Sequence, residues 1–200
     1  MSLTPPPALT EAELSELGIS FGRGCQISRD ARFYGADRIA LGDNVRIDSF
    51  CVLTSGGSGR IDVANHSHIA SGARLFGQGH IAVGNFTGIS AGSTLFSASD
   101  DFSGEFLFGP EIDQAYCKVD ERPIVMDDFT LIGAHGLVLP GVRLHEGSVL
   151  GAAGVAVRDL DPWTINGGVP AKFIKQRSRG LVAKADAFRQ TWEMGEETNG

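Results

Sequence analysis

Aliphatic residues recur every six positions through most of the chain. The repeat is regular at Leu41, Ile47 and Leu53, and it returns in four later segments. A small residue follows most of these aliphatics after four positions, as Cys51 follows Ile47. Apolar residues with a period of 3.6 would indicate an amphipathic helix, and strict alternation would indicate a half-buried strand. The observed period of six matches neither pattern. Six residues per side and three sides per turn make a triangular coil of about 18 residues, so the pattern predicts an all-β solenoid, a parallel β-helix.

A five-residue cassette groups these hexads into turns. An Ile or Val, any residue and an aliphatic are followed by a small or acidic residue and then by Asp, Asn or Glu. The copies start at Ile39, Ile61, Ile81, Ile124 and Val142, which are 22, 20, 43 and 18 residues apart. The long spacing predicts an insertion between two turns. An ordinary β-sandwich with a coincidental period is the alternative interpretation of the same pattern.

Segments without the repeat divide the chain. We predict an N-terminal extension at 1–20, a β-helix domain at 21–177 and a C-terminal helix and tail at 178–200. The insertion falls at 100–123 and contains four aromatic residues, Phe102, Phe106, Phe108 and Tyr116. Loops of this length in a compact fold are usually functional or disordered, and the aromatic rings favour a loop that packs against another surface.

Helical signals are confined to the two ends. Near the N-terminus, Thr10 can cap a helix and Glu13 can complete a capping box, while Leu14 and Leu17 supply an apolar edge. Near the C-terminus, apolar residues fall at helical spacing at Leu181, Val182, Ala185, Phe188 and Trp192.

Composition and charge limit the possible partners. The 200 residues include 27 glycines, and the formal net charge is −7. This charge argues against non-specific binding of nucleic acid or of a membrane surface, but it leaves room for a local basic site. We expect no membrane span and no signal peptide. The three cysteines, Cys25, Cys51 and Cys117, lack metal-type spacing, and we interpret them as reduced thiols in a cytoplasmic protein.

Several motifs resemble the hexapeptide-repeat acyltransferases. They are Ile132-Gly-Ala-His-Gly-Leu-Val-Leu-Pro-Gly-Val142, Leu150-Gly-Ala-Ala, Gly168-Val-Pro-Ala-Lys-Phe-Ile-Lys175 and Ser99-Asp-Asp-Phe-Ser-Gly-Glu105. The first three are similar to the maltose and galactoside O-acetyltransferases, and the last is similar to sugar acetyltransferases of O-antigen and other surface-polysaccharide pathways. The resemblance covers residues 39–177. It implies a left-handed β-helix and a homotrimer with active sites between neighbouring prisms. It also implies acetyl transfer from acetyl-CoA to a hydroxyl or amino group of a sugar or nucleotide-linked amino sugar.

The resemblance leaves the catalytic base open. Galactoside-type relatives have a histidine where the extended loop begins, and this sequence has Asp100 there, followed by Asp101. One candidate base is His135, at a predicted outward turn; its alternatives are an orienting role or a solvated turn residue. The other is Asp100, provided that Asp101 and burial raise its pKa; its alternatives are acceptor binding or a local backbone contact. We predict that Asp101 binds the acceptor. No Ser-His-Asp order is visible, so direct transfer is favoured.

Two further histidines are candidates for acceptor contact. His66 and His68 are two residues apart on a predicted strand and therefore on one face of it. From a neighbouring subunit they would reach the acceptor, and an exposed surface position is the alternative.

The resemblance also implies the coenzyme site. Relatives use backbone atoms at the positions of Ala134, Ala152 and Val157 to bond the pantetheine arm, and basic residues at those of Arg158, Lys172 and Lys175. Three cations, Lys172, Lys175 and Arg177, follow the last coil of an otherwise acidic protein. The phosphates of coenzyme A need such positive charges. A solubilising charge cluster is the alternative.

Two other functions compete with acyl transfer. A γ-class carbonic anhydrase uses a similar prism and a zinc ion held by three histidines, but its spacing of histidines is absent from this sequence, and we expect no metal. The second is a β-helix without catalysis that binds other proteins.

Overall fold

The computed structural model describes residues 8–197, with side chains described as far as residue 192. Residues 1–7 of the predicted extension and 198–200 of the predicted tail lie outside the described residues. Successive strands pass in turn to three sheets, so that three strands complete one coil. The chain forms a left-handed parallel β-helix, which confirms the parallel β-helix predicted from the six-residue period and the handedness implied by the resemblance.

The three sheets form the sides of a triangular prism. Sheet I contains β1 (Ser20–Phe21), β4 (Ile39–Leu41), β7 (Ile61–Val63), β10 (Ile81–Val83), β15 (Ile124–Met126) and β18 (Arg143–Leu144). Sheet II contains β2 (Gln26–Ile27), β5 (Arg46–Ile47), β8 (His68–Ile69), β11 (Gly88–Ile89), β16 (Leu131–Ile132), β19 (Val149–Leu150), β21 (Thr164–Gly167) and β22 (Lys172–Gln176). Sheet III contains β3 (Arg32–Tyr34), β6 (Val52–Thr54), β9 (Arg74–Phe76), β12 (Thr94–Phe96), β17 (Leu137–Val138) and β20 (Val155–Ala156).

Three edges separate these sides. The first corner joins sheet I to sheet II, the second joins sheet II to sheet III, and the third joins sheet III to the next strand of sheet I. Residues with positive φ turn the chain at the first two corners, among them His66 (56°) at the first and His135 (57°) at the second.

One apolar column fills the prism. In sheet II the inward residues Ile47, Ile69, Ile89, Ile132 and Leu150 are each at most 1% exposed. Because every coil stacks its inward side chains on those of its neighbours, the core runs the length of the prism.

The predicted small inward positions are also filled as expected. Cys51 is fully buried, and its thiol donates to the Ala70 carbonyl oxygen at 3.2 Å. Burial raises the pKa of the Cys51 thiol to about 11 and also raises the pKa of the half-buried Cys25 thiol. Both groups therefore stay protonated at neutral pH, as expected for structural rather than reactive cysteines.

Two helices flank the coil. α1 (Glu11–Glu16) has the predicted capping box, in which Thr10 Oγ1 accepts from the Glu13 amide and Glu13 Oε2 accepts from the Thr10 amide. Leu14 is buried, but Leu17 is 43% exposed, so the predicted apolar edge is wrong for Leu17. α2 (Gly180–Glu197) buries Ala185 against the first corner. No helix in residues 8–197 combines the length and apolar character needed to cross a membrane.

The insertion leaves the prism at the third corner as a hairpin. Its antiparallel strands are β13 (Ala98–Asp100) and β14 (Val119–Glu121), so it begins two residues before the predicted start. β10 and β15, the strands that flank the insertion in sheet I, pair directly in the register Ile81↔Ile124. The hairpin therefore interrupts the sequence of the repeat without interrupting the stack.

Candidate active site

A cleft of about 730 Å³ lies between the hairpin and the outer face of sheet III. Its polar residues include Ser99, Asp100 and Asp101 at the hairpin base. Its apolar wall includes Phe96, Phe106, Phe108, Leu137, Leu139 and Pro140. The cleft is large and apolar enough to hold an organic group beside two carboxylates, which is the usual character of a small-molecule site.

The apolar residues that sheet III contributes to this wall were not predicted from the sequence. Two outward columns of sheet III reach the cleft: Leu137 continues the column of Arg74 and Thr94, and Phe96 continues that of Phe76. Both columns are readable from the sequence once the six-residue frame is set.

The two hairpin carboxylates have different surroundings. Asp101 accepts from the Ser103 amide at 3.0 Å and from the Ser103 hydroxyl at 2.6 Å, and these hydrogen bonds lower the pKa of Asp101. Asp101 is therefore ionised and held within the loop. Asp100 ends β13 opposite Val119, and its carboxylate has no hydrogen-bond partner among the described residues. Asp100 is exposed within one chain, so the burial that the sequence analysis required is absent there.

His135 lies at the second corner and is exposed. Its amide donates to the Ala91 carbonyl oxygen at 2.9 Å, and its ring covers Gly92, where a Cβ would come within 2.5 Å of Nδ1. Gly92 also has a φ of 69°. The corner therefore requires glycine, because a Cβ would collide with the His135 ring and because the backbone is left-handed there. Strands of sheet III run from the second corner to the third, so His135 and Asp100 flank opposite edges of that sheet. One chain does not bring the two candidate bases together.

Three of the seven predicted coenzyme residues lie along the second corner. Ala134 and Ala152 occupy it in successive coils, and the Ala153 amide donates to the Ala134 carbonyl oxygen at 2.8 Å. Val155 starts the next strand, and its carbonyl oxygen accepts from the Ala171 amide at 2.8 Å, which places the exposed Lys172 beside the same corner. Lys172 therefore lies along the same corner as Ala134 and Ala152, at the C-terminal end of the prism.

The remaining predicted cations and Val157 are placed differently. Lys175 lies on β22, the exposed outer strand of sheet II, in register with Ile165. Val157 and Arg158 follow β20 at the third corner, and both are exposed. These residues are accessible, but Lys175 lies on the face of sheet II, whereas Val157 and Arg158 lie at the third corner.

Arg177, for which the sequence predicts a coenzyme contact, makes hydrogen bonds to the first corner of its own chain. Its Nη1 donates to the Phe129 carbonyl oxygen at 2.6 Å and to the Gly147 carbonyl oxygen at 2.9 Å. Both carbonyls belong to the first corner, and burial lowers the pKa of the Arg177 guanidinium. Arg177 thus ties the chain after β22 to a corner away from Lys172.

The shared strand face predicted for His66 and His68 is wrong. His66 precedes β8 in a corner turn, and its ring stacks on Phe86 with centroids 4.8 Å apart. Burial lowers the pKa of His66. His68 is on β8, with Nε2 2.8 Å from Asp48 Oδ2. Both histidines line a groove beneath α2, and neither lines the hairpin cleft.

No cluster of three or more histidine, cysteine, aspartate or glutamate side chains within the described part of the chain is arranged to hold a metal ion.

Comparison with known proteins places the chain in a family. No family model matches it. The dTDP-4-amino-4,6-dideoxy-D-glucose acyltransferase of Escherichia coli is 36% identical over 182 residues, which cover 90% of this chain and 94% of the relative. AntD, an N-acyltransferase from Bacillus cereus solved with dTDP and 3-hydroxybutyryl-CoA, is 33% identical with a TM-score of 0.88 and covers 94% of this chain and 99% of its own.

Two further solved structures extend the comparison. A variant of AntD, solved with dTDP-4-amino-4,6-dideoxyglucose and coenzyme A, is 34% identical with a TM-score of 0.88, covering 93% of this chain and 98% of its own. A hexapeptide-repeat acetyltransferase from Vibrio cholerae, solved with acetyl-CoA, shares the fold at 22% identity and a TM-score of 0.53, covering 84% of this chain and 75% of its own. With its coil of hexads and relatives that match it almost end to end, the chain belongs to the hexapeptide-repeat acyltransferases.

Proposed function

We propose that this chain is an N-acyltransferase that moves an acyl group from acyl-CoA to the amino group of a dTDP-linked amino-dideoxysugar. The main support is the Escherichia coli relative, which is named for that acceptor and matches 90% of the chain. The AntD complex with coenzyme A and the amino sugar adds a structure in which both ligands are present. This proposal narrows the acceptor, which the sequence left open between hydroxyl and amine.

Direct transfer accounts for the reaction without a covalent enzyme intermediate. The lone pair of the sugar amine attacks the thioester carbonyl carbon, a C–N bond forms, and the C–S bond breaks as the thiolate leaves. The nitrogen loses one proton, and the thiolate gains one. A group beside the amine must therefore accept a proton and orient the lone pair.

Asp100 is our proposed contact with the acceptor amine. It lines the cleft, and its carboxylate has no hydrogen-bond partner in the part of the chain that the structure describes, so it can receive an N–H donor. An amine is a better nucleophile than a hydroxyl and demands less of a base, so a carboxylate can replace the histidine of galactoside-type relatives. Asp101, held by Ser103, would shape the loop that receives the sugar.

The second corner is our proposed coenzyme site. Ala134, Ala152 and Lys172 follow it in line, and small side chains there leave the corner backbone accessible to the pantetheine arm. Lys172 at the second corner, Lys175 on sheet II and Arg158 at the third corner would supply cations for the phosphates. His135, adjacent to Ala134, would then face the thioester.

We propose a homotrimer with sites shared between chains. The hairpin exposes apolar rings, with Phe102 93% exposed and Phe108 70% exposed, and such a patch marks an interaction surface. Asp100 and His135 flank opposite edges of sheet III, so only a neighbouring chain could place a second corner beside the hairpin of the first. We also propose that the product serves surface-polysaccharide synthesis and that the protein works in the cytoplasm, where its three free thiols would stay reduced.

The test is an acceptor comparison. Release of coenzyme A thiol from acetyl-CoA is measured with dTDP-4-amino-4,6-dideoxyglucose and with dTDP-glucose, and the product is identified by mass spectrometry. We expect turnover with the amine and a rate at least about 100-fold lower with the hydroxyl. Equal rates with both acceptors, or turnover with neither, would overturn the proposal.

Variants assign the base in the same assay. Asp100→Asn should lower kcat by about 10²-fold or more, with the KM for acetyl-CoA unchanged. If Asp100→Asn retains the rate and His135→Ala loses it, the base lies at the second corner instead.

A further inference from the structure

Ser97 joins the last strand of one coil to the hairpin, and its side chain is fully buried. The Ser97 hydroxyl donates to the Phe76 carbonyl oxygen at 2.8 Å and accepts from the Gly79 amide at 2.9 Å. Both partners belong to the coil below, one at the end of β9 and one in the turn that follows. A single hydroxyl thus connects the hairpin base to that turn.

The backbone around Ser97 closes the hairpin at its base. The Ser97 amide donates to the Phe76 carbonyl oxygen at 3.0 Å, and the Ser97 carbonyl oxygen accepts from the Arg122 amide at 2.9 Å. Gly79 packs so closely that a Cβ there would come within 2.3 Å of the Ser97 carbonyl oxygen. Side-chain atoms add a second link, because Gln78 Nε2 donates to Glu121 Oε1 at 2.7 Å.

We propose that Ser97 is a positioning residue, which fixes the direction in which the hairpin carries Asp100 into the cleft. This inference rests on the role proposed above for Asp100. Only two residues lie between Ser97 and Asp100, and both belong to β13, which pairs with β14 and ends at Asp100. The rings at the hairpin tip are exposed, so within one chain the base provides the firmest attachment.

Loss of the hydroxyl would affect two coils. The Gly79 amide would lose its acceptor, and the turn that carries Gln78 and Gly79 would relax until the amide found another acceptor. The hairpin would then pivot, and a displacement of about 1 Å at the reacting group can lower a rate about 100-fold.

Ser55 offers a matched control two coils earlier. It follows β6 as Ser97 follows β12, it is 2% exposed, and its amide donates to the Tyr34 carbonyl oxygen at 2.8 Å. Its hydroxyl donates to the Gly59 carbonyl oxygen at 2.6 Å. Ser55 thus holds a loop at the same corner and depth, but it has no contact with the hairpin.

The experiment compares Ser97→Ala with Ser55→Ala in the full chain. Thermal midpoints, kcat and the KM for each substrate are measured for both, and Ser97→Ala is repeated in the Asp100→Asn background. We expect similar losses of stability in both variants. Only Ser97→Ala should lower kcat, by about 10- to 100-fold, with the acetyl-CoA KM within about twofold of the wild type. In the Asp100→Asn background Ser97→Ala should change kcat little, because no carboxylate remains to be placed.

Each outcome decides a different point. Equal effects of Ser97→Ala on kcat in both backgrounds, or an equal loss of kcat in Ser55→Ala, would overturn the positioning role while leaving Asp100 in place. An unchanged kcat in Asp100→Asn alone would overturn the role of Asp100 and the positioning role with it. If Ser97→Ala does not fold, Glu121→Ala, which removes only the exposed link to Gln78, decides: a lower kcat supports the proposal and an unchanged kcat overturns it.

Discussion

Replacing Arg177 with methionine should destabilise the fold without weakening coenzyme binding. The guanidinium bridges the carbonyl oxygens of Phe129 and Gly147, which belong to successive coils of the first corner. Each hydrogen bond to a charged group is worth about 1.5–3 kcal/mol, and the cost of desolvating the cation offsets part of this. We therefore expect a loss of about 2–3 kcal/mol in the free energy of unfolding. For a chain of this size, that loss lowers the thermal midpoint by about 4–12 °C.

The assay pairs thermal unfolding with the KM for acetyl-CoA. Lys175→Met is the control, since Lys175 is an exposed cation of β22, two residues before Arg177. It should leave the midpoint within about 1 °C and raise the KM for acetyl-CoA about tenfold, as expected for loss of one phosphate contact. If Arg177→Met instead raised that KM as Lys175→Met does and left the midpoint unchanged, the guanidinium would face the coenzyme, and the reasoning from its carbonyl contacts would be refuted.

Three more predictions follow from the core, the first corner and the hairpin. Ile89→Ala opens a gap between Ile69 and Ile132 and should lower the free energy of unfolding, measured with urea, by about 3–4 kcal/mol. A smaller loss would indicate that the stacked coils collapse around the gap. Because burial lowers the pKa of His66 below 6.5, the unfolded chain gains a proton that the folded chain resists as pH falls. Stability should therefore fall from pH 7 to 5 less steeply in His66→Phe than in the wild type, and equal slopes would contradict this. Phe108→Asp should dissociate the proposed trimer in light scattering, and a mass of three chains at micromolar concentration would exclude the hairpin from the interface.

The fold was predictable because its period is a local property. An inward residue such as Ile69 or Leu75 is required every six positions, and the requirement is the same in every coil. The capping box of α1 was predictable for a similar reason, since Thr10 and Glu13 meet within one turn of helix.

The site was less predictable because its contacts depend on distant coils. Arg177 lies 48 residues from Phe129 and 30 from Gly147, so spacing along the chain gave no sign of either contact. His66 was placed on a strand because the pattern does not mark which residue of a corner takes a positive φ. Asp100 was found from the resemblance, but its cleft depends on outward residues of sheet III, where the repeat makes no demand.

The direct pairing of β10 with β15 across the insertion allows the hairpin to vary without disturbing the stack of coils. Ile81 and Ile124 lie side by side although 43 positions separate them. Residues can be added to or deleted from the hairpin tip while every coil above and below keeps its register. The prism and the hairpin, which is the proposed acceptor-binding element, can thus evolve at separate rates. A hairpin from a relative can be grafted onto this prism by joining it at Ser97 and Arg122.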